Sequence, residues 1–311
     1  MIKMGALDVI VVILLIVLLG IGGYVFWDNL PGKVEDFKPA GNVDGKNSQV
    51  YSNGSQFYPN MRYPDKEISY SLSDSCDDNK KSSAREAFSI ISRKTILNFK
   101  EKSGSAEIEI LCSDISPTAE EKGHFVAGEG GPKDIFVSGP YYVITTGKVS
   151  LYRDDKCDAP QIATHEILHA LGFDHNDNPE SIMYPVTGCD EKIDDYIINE
   201  INRLYSIKSA SDLVIVSANG QKSGKYVSFV VDVSNYGFID ALSVNLTLSN
   251  KNEKIKEFDL KSIPFGNSKK ITVDNVVVPR DTTELNFKAY LTDNADEISL
   301  DNNEAVLKIN G

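Results

Sequence analysis

Histidine, tryptophan and cysteine are scarce in this chain, with four, one and four copies in 311 residues. No two cysteines form a C-x-x-C pair, which argues against a thiolate zinc site or a thioredoxin-like motif. Clustered Lys and Arg are also missing, and the net charge is −13. A surface that neutralises phosphates needs such clusters, so nucleic acid is excluded as a partner. The acidity itself speaks for solubility and names no partner.

One long hydrophobic run is present. Val9–Trp27 is an unbroken stretch of 19 apolar or glycine residues bracketed by Asp8 and Asp28. As a helix it would span about 28 Å, close to the thickness of a bilayer core. Tyr24, Phe26 and Trp27 suit the headgroup level, and Lys3 favours an N-terminus inside. Residues 1–28 are therefore read as a transmembrane signal-anchor. The competing reading is a cleaved signal peptide, with Gly20-Ile21-Gly22 as the cleavage site and a secreted product. Either reading places the rest outside the cytoplasm. The dispersed, even set Cys76, Cys112, Cys157 and Cys189 then fits two disulfides, and three pairings are open.

Residues 29–66 are rich in Gly, Asn, Pro and Ser without apolar periodicity and read as a flexible linker or stalk. Glu67–Ser73 alternates like a strand. Asp78–Lys102 carries Ala84, Ala87, Phe88, Ile91, Thr95 and Phe99 on one helical face, with Gly104 as the stop. Ala106–Cys112 alternates again, and a Gly-rich loop and short strands follow through Arg153. A helix is expected from Asp158, where Asp158 and Gln161 have capping-box spacing. A last helix is expected over Asp190–Tyr205. Beyond Ser211 the texture is β throughout, with segments at 212–218, 226–235, 242–248, 270–278, 284–291 and 304–309. Regular turn spacing there predicts an all-β sandwich over residues 211–311.

The chemistry-bearing segment is His165-Glu166-Ile167-Leu168-His169-Ala170-Leu171-Gly172-Phe173-Asp174-His175. His165 and His169, four apart on a helix, project from one face and can share a metal ion. Glu166 stands beside them as a general base. Gly172 can end the helix in a left-handed conformation and let the chain return His175 as a third ligand. Three protein ligands leave an open position, as a catalytic zinc requires. The fourth histidine, His124, lies in a Gly-rich loop and reads as a surface residue.

These residues resemble the metzincin zinc metallopeptidases. Ser181-Ile182-Met183-Tyr184-Pro185 is similar to the methionine turn of the matrixin branch, with Met183 as a packing floor and no metal ligand. The resemblance implies an α+β domain over residues 67–208, with a twisted mixed sheet and three main helices. It implies one catalytic Zn2+ on His165, His169 and His175, with Glu166 activating water against a peptide bond. It further implies that the backbone of Lys148–Tyr152 pairs with an extended protein or peptide substrate, and that residues 184–188 wall the pocket beyond the cleaved bond. Bridges Cys157–Cys189, around the methionine turn, and Cys76–Cys112 would complete the domain. The P-R-C-G-like pro-segment cysteine of matrixins is absent. The resemblance leaves structural Ca2+ open without naming its ligands, and the acidic Asp154 and Asp155 read equally as a solvated turn.

Asp212-Leu213-Val214, Val231–Gly237 and Leu300–Glu304 make the C-terminal segment similar to cell-adhesion-related (CARDB-like) immunoglobulin-like domains. A spacer, or a module for a surface ligand, is the expectation. Two functions follow from the whole. The first is a membrane-tethered extracytoplasmic zinc endopeptidase. The second is a catalytically silent, metal-binding surface adhesion protein, against which the intact Glu166 argues.

Overall fold

The computed structural model describes residues 56–118, 126–186, 188–251, 253–293 and 295–309, all within one compact unit. The run Val9–Trp27, the stalk up to Ser55 and His124 lie outside the described residues. Among the described residues no helix is long and apolar enough to cross a membrane.

The first core is built on a mixed sheet. Strands β1 (Met61–Arg62), β2 (Glu67–Leu72), β3 (Asn98–Glu101), β4 (Ile108–Cys112) and β6 (Tyr141–Leu151) are parallel, in the order β1-β6-β4-β2-β3. β5 (Gly128–Ser138) runs antiparallel on β6. Alternation sets the faces: Ile108, Ile110 and Cys112 of β4 are buried, while Glu109 between them is exposed. Helix α1 (Asp78–Lys94) starts at Asp77, whose side chain accepts from Lys80 N. Its Ala84, Ala87, Phe88 and Ile91 are buried, and Phe88 stacks on Tyr70 of β2 at 4.0 Å.

Several expectations are corrected here. The stalk expected over residues 29–66 is already ordered core by its end, because Met61 and Tyr63 are fully buried and β1 pairs with β6. The helix expected through Lys102 stops at Lys94. Thr95 turns extended, its hydroxyl bonds back to Ile91 O at 2.9 Å, and the chain pairs with β2 as β3. Phe99 still reaches Phe88, at 4.8 Å, but from a strand. Residues 128–151 form two strands of 11 residues each, longer than the short strands expected. The last helix, α3 (Asp195–Tyr205), begins at Asp194 and not at Asp190, because Lys192 is held in a bridge to Ser181.

The C-terminal strands form two antiparallel sheets around a second core. One holds β10 (Glu253–Ile263), β9 (Ala241–Asn250), β12 (Glu284–Leu291) and β13 (Glu304–Lys308) in that order. The other holds β11 (Ser268–Val277), β8 (Tyr226–Asn235) and β7 (Leu213–Ser223). Strand β10 was not expected from the sequence. It is an edge strand in which most charged residues are exposed and only Leu260 and Ile263 are fully buried, so it lacks a clean apolar alternation to read. Charge on an edge also opposes pairing with other chains.

The structure selects one of the three cysteine pairings, Cys76–Cys112 and Cys157–Cys189. The second closes a loop with a sequence separation of 32 that contains the whole histidine motif. A Cys157→Ala/Cys189→Ala chain is expected to lose about 3 kcal/mol in denaturant unfolding. Unchanged stability would show that this bridge does not constrain the unfolded chain.

Candidate metal centre

Helix α2 (Gln161–Ala170) carries the first part of the motif, His165 to Ala170. Its start differs from expectation. Pro160 occupies the N-cap position and Asp158 caps nothing. Asp155 instead accepts from Ile162 N at 2.8 Å, so Asp155 is half-buried helix support, not a solvated turn. Gln161 turns away to donate to Cys189 O at 2.8 Å. The helix ends at Gly172, whose φ of +97° lies in the left-handed region that glycine accepts readily. Phe173 N then bonds Leu168 O at 3.1 Å, and the chain swings His175 back over the helix.

His165, His169 and His175 come together as the sequence predicts. Their Nε2 atoms lie 3.0 Å apart for His165–His169 and 3.2 Å apart for both pairs with His175. The Nδ1 of His165 sits 2.5 Å from Ile182 O, and that of His169 2.7 Å from Phe173 O. Those carbonyls can only accept, so each Nδ1 carries the proton and each Nε2 offers a lone pair. Burial pulls the His165 imidazole down to about 4 and the His169 imidazole down to about 3. His175, exposed, is lowered by the same desolvation. Two lone pairs fixed in this way, with the His175 Nε2 converging on them, fit a cation. In a tetrahedral site with 2.0–2.1 Å bonds, ligand nitrogens stand about 3.4 Å apart, within a few tenths of an ångström of these. Imidazole donors favour zinc over the hard cations that take oxygen ligands. Among the described residues this trio is the one group of three such side chains.

Met183 is fully buried. Its carbonyl accepts from Asn176 N at 2.9 Å, and its own N–H donates to Ser181 Oγ at 3.1 Å. Two residues missed from the sequence fix this turn. Asp194, the N-cap of α3, accepts from Ser181 Oγ at 2.6 Å and from Asn176 Nδ2 at 3.2 Å. The local signal for Asp194 is its place as an N-cap, with its side chain accepting from Ile197 N, three residues on.

Glu166 is buried against β5. A Cβ on Gly128 would lie 2.6 Å from Glu166 Cγ, and one on Gly130 would overlap the Glu166 carbonyl. Glycine at both positions lets the strand approach the helix backbone. Burial, and then the negative charge of Glu129, raises the Glu166 carboxyl to about 8. Without metal it holds its proton at neutral pH. The strand edge open at this site also differs from expectation. Lys148–Leu151 belongs to β6, which pairs with β4 on one side and β5 on the other. Among the described residues β5 pairs only with β6, so β5 presents the free edge.

The family model described as Matrixin, a peptidase family, matches residues 62–206. Residues 62–206 are matrixin-like. A matrilysin from Felis catus is 41% identical over 54 residues, which is 16% of this chain and 21% of the relative. The match therefore spans about a fifth of that relative's length. For the C-terminal strands, the CARDB domain of a Pyrococcus furiosus protein is similar in its crystal form. It is 18% identical, covers 32% of this chain and 89% of its own, and has a TM-score of 0.28. A solution structure of that domain gives 18% identity, 32% and 95% coverage, and a TM-score of 0.29.

The pKa shifts set opposed pH effects on the metal-free chain. For His165 and His169 the stability contribution is complete above pH 6.5 and is lost as pH falls through about 4 and about 3. For Glu166 it is complete below pH 4.5 and is lost as pH rises through about 8. Between pH 6.5 and 8 the metal-stripped chain is expected to lose roughly 2 kcal/mol relative to Glu166→Gln. Denaturant titrations of both chains check this, and parallel pH profiles would contradict a buried neutral Glu166.

Proposed function

We propose that this protein is a zinc-dependent endopeptidase acting outside the cytoplasm and held to the membrane by residues 1–28. The observation that carries the reading is the convergence of three Nε2 atoms at 3.0–3.2 Å beside a buried glutamate. A structural metal site would have no use for that carboxylate. The matrixin match over residues 62–206 supports the same reading. The two disulfides fit an oxidising compartment.

His165, His169 and His175 would hold the zinc. When bound, the ion supplies a Lewis acid that polarises a carbonyl and acidifies water. The chain's residues do the rest. An extended substrate adds as a strand to the free edge of β5, so main-chain hydrogen bonds align the scissile peptide beside Glu166. Glu166 gives up its own proton once a cation is near, because an opposite charge favours the carboxylate. Its Oε atoms then accept a proton from the attacking water and return it to the leaving amine. Residues 184–188, beyond Met183, would wall the pocket past the cleaved bond. The C-terminal domain would face a surface ligand.

Glu166→Ala is expected to keep one zinc per chain and lose cleavage of a mixed peptide library by about a thousandfold. Metal analysis and peptide mapping of both chains read this out. Cleavage that survives in the mutant would remove Glu166 as the base. A zinc-loaded unmutated chain that cleaves nothing would favour the silent adhesion protein.

A further inference from the structure

The turn that links β5 to β6, residues 138–141, is covered on one side, with only Pro140 exposed. Ser138 is fully buried and donates through Oγ to Gly237 O at 2.7 Å. The Tyr141 ring meets Phe238 edge-on at 4.9 Å, and Phe136 meets Phe265 at 6.1 Å. Gly139, at φ +55°, lies so close to Tyr236 that a Cβ there would stand 2.6 Å from its ring. Phe238 and Gly237 belong to the loop between β8 and β9, so the C-terminal sandwich packs against this turn.

Arg62 of β1 fastens the same place from below. Its side chain is 1% exposed, and the guanidinium lies 4.6 Å from the Tyr205 ring centroid and 4.0 Å from that of Phe238. It donates to Leu204 O and to Ile207 O, at the C-terminal end of α3, and to Pro64 O. Helix-end carbonyls and two ring faces thus stabilise a buried cation, and one of those faces comes from the C-terminal domain. Removing Phe238 would strip one wall from a buried charge as well as from the turn.

The two ends of β5 therefore serve different partners. Gly128 and Gly130 lie against Glu166, and Ser138 is held by the sandwich. We propose that the C-terminal sandwich is a positioning part of the peptidase: its grip on residues 138–141 fixes β5, and so fixes the free edge along which substrate aligns beside Glu166. This rests on the peptidase reading above. It replaces a spacer role with a direct one, in which Phe238 acts on substrate binding through β5 without touching substrate.

The test uses the full zinc-loaded chain with Phe238→Ala, the milder Ser138→Ala, and Phe238→Tyr, which keeps the ring face. Amide hydrogen exchange of residues 128–138 is measured by mass spectrometry, with KM and kcat on an extended peptide. In Phe238→Ala, exchange in β5 should rise about tenfold and KM about tenfold, with kcat within about twofold. Ser138→Ala should move both in the same direction by less, and Phe238→Tyr should match the unmutated chain. If Phe238→Ala does not fold, Ser138→Ala decides. Unchanged β5 exchange, or faster exchange with an unchanged KM, overturns the positioning role. An unmutated chain that binds zinc but cleaves nothing sinks the peptidase reading and this inference together; cleavage with equal KM values sinks the inference alone.

Discussion

Two backbone carbonyls decide what the histidines can do. Ile182 O and Phe173 O take the Nδ1 protons of His165 and His169, so the facing Nε2 atoms have only lone pairs to offer. Lone pairs 3.0 Å apart repel unless a cation lies between them. The surrounding structure reads as the means of placing those carbonyls. Gly172 in the left-handed region brings Phe173 O back over the last helical turn, and the methionine turn brings Ile182 O under His165. Asp194, Ser181 and Asn176 hold that turn with a closed set of hydrogen bonds. The Cys157–Cys189 bridge closes the loop that contains both.

The same economy governs the sheet. A strand with side chains facing α2 would stand off by the thickness of those side chains. Glycine at 128 and 130 lets β5 lie on the Glu166 backbone, which buries the carboxyl and raises it to about 8. That burial is unfavourable for a lone carboxylate and favourable once a divalent cation is near. Three imidazoles disfavoured as cations by burial and one protonated acid thus stand together, a set that could hold a metal ion. The sandwich that holds the other end of β5 extends this arrangement beyond the matrixin-like residues.

Much of this was legible in the sequence, for definable reasons. The convergence of the histidines was readable because His165, His169, Gly172 and His175 sit at spacings that helix geometry and one left-handed residue convert directly into a common point. The strands with clean alternation, such as β2 and β4, were readable for the same reason. What failed had non-local causes. The end of α1 at Lys94 depends on β3 pairing with β2, which no window around Phe99 contains. The support of α2 by Asp155 spans seven residues and defeats the capping-box pattern that Asp158 and Gln161 suggest. The free edge lay on β5, not on Lys148–Tyr152, because pairing order is a property of the whole sheet. Strand β10 was hidden by charges that suit an edge. The residues before Lys66 read as a stalk, although Met61 and Tyr63 pack into the first core.

The most direct test of the account is zinc K-edge X-ray absorption on the purified full chain after metal loading. One zinc per chain is expected, with three imidazole nitrogens at about 2.0–2.1 Å, one further light-atom ligand and no sulfur. A folded chain that takes up no stoichiometric zinc, or a zinc held by sulfur, would contradict it.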